Sequence, residues 1–349
     1  MTKICVVTPA GPKLRNGNRV TAARWSRFLR QLGHEVLLVE SWDAEEPDLM
    51  LALHARRSYP SIKRYAAAYP GRPLIVALTG TDLYRDIRSD EAARESLKLA
   101  KALIVLQEKG PEELEPRHRA KTHVVYQSAK PVKRQPPTKR YFDVCVIGHL
   151  RDEKDPFRTA LAARLLPPTS HVRVTHTGRP YNDEFARRAQ LEASENPRYR
   201  WIGEVLPWKA RRALARSRLL AQTSVMEGGA NVVSEALATG VPVIASNIPG
   251  NVGMLGEDYP GYYPMGDEEA LSRLLHRAET DAAFYEKLEA ACEARKHLVL
   301  PEREKANLGS LVEEAVGTGS GRDGGLYLAH GRKDAHKIDE VLAEGRLSF

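Results

Sequence analysis

Short apolar runs alternate with longer amphipathic segments along most of this 349-residue chain, and nothing else limits its fold as tightly. The runs at 4–7, 36–39, 49–53, 74–78, 103–106 and 124–126 are apolar without polar alternation, as strands buried on both faces are. Amphipathic stretches such as 19–32, 59–68 and 91–100 lie between them. That rhythm predicts right-handed βαβ units and a doubly wound parallel sheet. It stops at 130–140, where three prolines and five cations in eleven residues make an exposed, semi-rigid linker. It restarts with runs at 142–147, 172–175, 200–202, 219–222, 243–245 and 262–263, separated by helical patterns at 156–165, 183–193, 207–216 and 230–238. Helical patterns from 268 to 316 finish the second half. The α/β reading is therefore two Rossmann-like, doubly wound domains, 1–135 and 141–316, facing across a cleft. Ligands are expected there, at the carboxyl ends of the strands. A glycine-rich segment opens a tail at 317–349, expected to be flexible and assigned no role.

The formal net charge of +8 favours anionic ligands. Its Lys and Arg are scattered and accompany no nucleic-acid module, so phosphorylated small molecules are the expected partners. Cys5, Cys145 and Cys292 have no paired spacing and read as buried, reduced thiols. The chain enters a strand directly after Met1 and has no 18-residue apolar run. It is expected to be cytoplasmic, with no membrane partner.

The chemistry concentrates at 226–246. Glu227 and Glu235 bracket Gly228, Gly229, Ala230, Asn231 and Val232, and Glu235 falls inside an apolar helix that stops at Gly240. Bare loop amides opening into a helix N-terminus suit an anion. Two glutamates at either end can hold hydroxyl groups, so sugar, diphosphate and ribose fit the arrangement. Two solvent-facing glutamates around a helix start would explain neither the glycines nor the spacing. A second loop follows the strand at 142–147 and carries His149, Arg151 and Lys154. In the first domain, three loops at strand ends are suited to an oxyanion. One holds Arg15, Asn16, Gly17, Asn18 and Arg19, the second His54, Arg56 and Arg57, and the third Thr81. Each cation alone reads more readily as solvated surface charge; their shared place at strand carboxyl ends brings the ligand-binding reading level with it.

The stretch from Glu227 to Ser246 resembles the E-x7-E element, and its continuation, of retaining GT-B glycosyltransferases of the family 4 type. The resemblance implies that Glu227 holds donor-sugar hydroxyls, residues 228–232 the diphosphate, and Glu235 the ribose. Lys154 falls on that family's lysine, which neutralises the leaving diphosphate. His149 replaces the usual arginine, and Arg151 stands two positions later. The chain contains no D-x-D, and metal-independent chemistry without a cofactor is expected. Segments 17–22, 52–58, 78–84, 148–151, 226–235 and 258–262 further resemble the selenosugar synthases of the selenoneine pathway, and His149 belongs to that pattern. This resemblance implies coupling of a UDP-sugar, typically UDP-N-acetylglucosamine, to selenophosphate, giving a 1-selenosugar, UDP and phosphate. It also implies contact with a selenophosphate-producing enzyme.

Selenophosphate is already an anion with an exposed selenium, so it needs cations and aiming rather than a base. Arg15, Asn18, Arg19, Arg56 and Thr81 could provide these. His54 is the candidate for activating the water that cleaves phosphorus from selenium; a core histidine is an equal reading. Two other readings stand beside this one: a family 4 enzyme with a hydroxyl acceptor, and a non-catalytic UDP-sugar-binding protein.

Overall fold

A computed structural model of the chain describes residues 1–11, 17–43 and 45–317. Six strands, β1 (Lys3–Val7), β2 (Glu35–Val39), β3 (Leu49–Leu53), β4 (Leu74–Ala77), β5 (Ala102–Val105) and β6 (Thr122–Val124), form the first sheet. Their order is β2-β1-β3-β4-β5-β6. A second sheet contains β7 (Phe142–Ile147), β8 (Val172–Thr177), β9 (Tyr199–Trp201), β10 (Leu219–Gln222), β11 (Val243–Ser246) and β12 (Tyr262–Tyr263), ordered β12-β11-β10-β7-β8-β9. Every recorded strand pairing is parallel.

The apolar runs form central strands because both faces are covered. Ile4, Val6, Leu49, Leu51 and Leu53 pack with Trp25, Phe28 and Leu29 of the helix Gly17–Gln31 on one side. Their neighbours Cys5, Val7, Met50 and Ala52 pack with Ile62, Tyr65 and Leu97 on the other. Period-two alternation thus divides one continuous apolar run between two cores. Strand bounds shift by one or two residues from the sequence reading. The largest shift is β6, which pairs at Thr122–Val124 and not at 124–126.

Topology locates the ligand crevices. Chain order reverses between β1 and β3 in the first sheet and between β7 and β10 in the second. Ligands bind outside the carboxyl ends at such reversals. The loops after β3, β7 and β10 carry His54, His149 and Glu227 respectively.

Residues 130–138 have no regular structure and are tied to the second domain. Gln135 donates its backbone N–H to Ala215 O (3.0 Å), and Arg134 Nη1 donates to Ser217 O (2.8 Å). After the second domain the helix Pro301–Gly317 returns to the first. Its Leu308, Leu311, Val312 and Ala315 join the Trp25 core. Gly317 ends that helix; residues 318–349 lie outside the described residues.

The three cysteines are free and buried. Burial pushes the Cys5 and Cys145 thiols up to about 12 and Cys292 to about 11, which leaves all three unreactive near neutrality. No described helix is long and apolar enough to cross a membrane.

Candidate active site

The helix Asn231–Thr239 is apolar on almost every face, with Val232, Val233, Ala236 and Leu237 buried. It ends where Gly240 adopts φ +74°, a left-handed cap that glycine takes without steric strain. Asn231 and Glu235, one turn apart, are only partly buried and line a cavity of about 410 Å³ between the two domains. No side chain caps the helix start at Ala230, so its positive end opens on that cavity.

From the second domain the cavity is lined by Gly148, His149, Arg151, Lys154, Glu227, Gly228, Gly229, Ala230, Asn231, Val232 and Glu235. Gly17, Asn18, His54 and Thr81 contribute from the first domain. Arg19 and Arg56 are not among the lining residues, whereas Arg57 is. Arg15 and Asn16 lie outside the described residues. A wider groove of about 620 Å³ beside the linker holds less chemistry; there Arg216 is bonded to Gln135 and Arg173 to Asp143.

Glu227 is buried, and its Oε1 is the focus of the site. It accepts from Lys154 Nζ, from Ser224 Oγ (2.7 Å) and from Gln222 Nε2 (3.0 Å). Burial pushes its carboxyl up, but the Lys154 charge and these hydrogen bonds outweigh that and hold it below the ordinary range. Glu227 is therefore ionised at neutral pH. Glu235 shifts the other way: burial raises it, against weaker pulls from Arg211, 3.9 Å away, and Arg24.

The loop after β7 is shaped by a close backbone approach. A Cβ on Gly178 would lie 2.5 Å from Gly148 C and 3.0 Å from His149 N, so only glycine fits. Buried His176 supports the same loop through Nε2 and Gly148 O (3.1 Å); burial lowers it to about 4, so it stays neutral. His149 Nδ1 accepts the Arg179 N–H (3.1 Å), which in the neutral ring leaves the proton on Nε2. Arg151 is half exposed at the mouth, its Nε 3.8 Å from Glu153.

Asp82 organises the first-domain rim. Fully buried, it accepts from Thr79 N (2.8 Å) and Gly80 N (2.9 Å) at one oxygen and from Ala55 N (2.9 Å) at the other. His54 has φ +73°, unusual for a residue with a side chain. Its Nδ1 accepts the Arg57 N–H (3.3 Å), so the neutral ring carries its proton on Nε2, facing Thr81 Oγ1 at 3.1 Å. Burial lowers its pKa, partly countered by Asp82. The expected water-activating role thus meets an occupied lone pair, and His54 is placed as a donor to Thr81. Arg56 donates Nε to Asp86 Oδ2 (2.8 Å), away from the cavity.

Sequence reasoning did not single out Gly178 or Asp82. Asp82 carried a signal, since an aspartate two residues after a glycine at a strand end is suited to binding loop amides.

The family model described as "Glycosyl transferases group 1" matches residues 127–296, slightly under half of the chain. No curated protein matches the chain by sequence. Among solved structures it is similar to HepE of Anabaena in complex with UDP-glucose, at 14% identity and a TM-score of 0.73, covering 90% of this chain and 100% of that one. It is also similar to sucrose-phosphate synthase of Thermosynechococcus elongatus, at 16% identity and a TM-score of 0.72, covering 90% and 99%. A glycosyltransferase of Rickettsia africae matches at 13% identity and a TM-score of 0.68, covering 90% and 98%. The chain thus has the two-domain GT-B fold, and residues 127–296 are similar to the glycosyl transferases group 1 family.

Proposed function

We propose that this chain is a glycosyltransferase that uses a UDP-sugar, typically UDP-N-acetylglucosamine, and couples it to selenophosphate. One observation carries the donor half: Glu227, Lys154, Glu235 and an uncapped helix N-terminus converge on one interdomain cavity. The similar structure of HepE in complex with UDP-glucose supports the same half. Glu235 holds the ribose hydroxyls, the amides of 228–232 hold the diphosphate, and Glu227 holds the sugar. Lys154 and Arg151 meet the charge that builds on the diphosphate as the glycosidic C–O bond breaks, so no metal is required.

The acceptor half rests on the polar character of the opposite wall, where Asn18, Arg57, Thr81 and His54 lie. Selenium attacks the anomeric carbon, the C–O electron pair leaves with UDP, and water then cleaves the phosphorus–selenium bond to release phosphate. We assign His54 to orienting Thr81 in this scheme. The acceptor's cation is Arg57 and not Arg56, which is committed to Asp86. Arg57→Ala is expected to raise the acceptor KM about 10–100-fold, the loss of one charge-assisted contact, while Arg56→Ala changes it little. Steady-state kinetics at saturating donor checks this, and equal effects of the two changes would refute the assignment.

The function itself is tested by incubating the full chain with UDP-N-acetylglucosamine and enzymatically made selenophosphate, with mass-spectrometric detection. Selenosugar with stoichiometric UDP is the expected result. UDP release only with a hydroxyl acceptor would sink the selenium reading, and UDP binding without turnover would point to a non-catalytic protein.

A further inference from the structure

Glu304 is a charged residue in the returning helix, yet it is only 1% exposed. Its Oε2 accepts from Arg24 Nε (2.8 Å), Ser128 N (2.8 Å) and the Ser128 hydroxyl, and its Oε1 from Trp25 Nε1 (2.6 Å). One carboxylate therefore joins the returning helix, the first helix of the first domain and the start of the chain that leads to the second. Arg24 continues the chain across the cleft, donating Nη1 to Asn231 Oδ1 at 3.4 Å. Its Nη2 is buried without a hydrogen-bond partner among the described residues.

A guanidinium only donates, so the Asn231 oxygen has to face Arg24 and its NH2 group has to face the other way. That side is the cavity: a Cβ on cavity-lining Gly17 would lie 3.7 Å from Asn231 Nδ2. The amide thereby presents donors beside the open helix end. A buried ion pair is a weak stabiliser compared with an apolar replacement. Orientation of Asn231 is the stronger account of why Arg24 also reaches across the cleft.

We propose that Arg24 and Glu304 are positioning residues for the donor, acting through Asn231, which they fix with its NH2 group toward the donor's anionic diphosphate. The proposal rests on the reading of the Asn231 helix end as the diphosphate site. Binding of the donor is then sensitive to a residue of the first domain that does not line the cavity.

Calorimetric titration of the full chain with UDP and with uridine, beside thermal melting, tests it. Arg24→Gln is expected to weaken UDP about tenfold and leave uridine unchanged, with Arg24→Lys recovering part of the loss. Asn231→Asp keeps the contact with Arg24, and its melting temperature should not fall, yet it should weaken UDP at least about tenfold because no donor faces the phosphates. Arg24→Gln added to Asn231→Ala should weaken UDP no further than Asn231→Ala alone. Additive losses, or wild-type UDP affinity in Arg24→Gln, would overturn the proposal. Absence of UDP binding by the unaltered chain would instead overturn the donor reading beneath it.

Discussion

Replacing Lys154 with methionine is expected to lower kcat about 10²–10³-fold, the range for removing one preorganised charge-stabilising donor. The same change strands Glu227, whose Oε1 would keep only Ser224 and Gln222 as partners. A buried carboxylate that loses its cation is destabilising, so the melting temperature should fall as well. The two effects separate on combining Lys154→Met with Glu227→Gln, which removes the stranded charge: stability should recover and activity should not. Recovery of both together would mean that Lys154 acts only as a structural partner.

The pH dependence has a definite sign. The Glu227 carboxyl is held below its ordinary value, so its folded form binds the proton less readily than the unfolded chain does. Its contribution to stability is complete above the unfolded carboxylate range, near pH 4.3, and is lost as pH falls through the lowered folded value. Lys154→Met should flatten that acid limb in a titration of melting temperature.

Gly228→Ala should cost at least about 10²-fold in kcat/KM, with only a small change in melting temperature. A Cβ at 228 would stand 2.5 Å from Thr79 C and 2.7 Å from Gly80 N, both backbone atoms of the other domain. That rim cannot retreat easily, since Asp82 holds both its amides and Gly80 is at φ +151°. The strain is relieved by opening the cleft, which displaces the acceptor wall from the donor, and a displacement of about 1 Å is enough for such a loss. Steady-state rates beside a thermal melt check this. Full activity in Gly228→Ala would show that the close approach is not part of the working enzyme.

This assigns the glycines a second purpose that the sequence did not reveal. As bare amides at a helix start they were legible, because Glu227, Gly228, Gly229 and Glu235 are fixed by local spacing on one turn and one helix. Their seat against Thr79 and Leu106 depends on chain more than 100 residues away. The two-sheet fold was legible for the same local reason, the central strands being apolar on both faces. Arg56 and Arg57 show the limit. They are adjacent and chemically identical, and it is Asp86, reached through the fold, that draws Arg56 away. The tautomer of His54 likewise depends on an N–H three residues on and a backbone φ of +73°. Periodicity made 301–316 a helix but gave no sign that it returns to the first domain. Glu304 reads as an ordinary polar position of that helix until Arg24, Trp25 and Ser128 are brought around it.

Everything proposed for the acceptor depends on the donor lying between Glu227 and Glu235. The most direct measurement is calorimetric titration of UDP into the full chain and into Glu235→Ala. Saturable binding by the unaltered chain is expected, weakened about 10–100-fold in the variant through loss of hydrogen bonds to the ribose. Absence of UDP binding, or the same affinity in both proteins, would contradict the account.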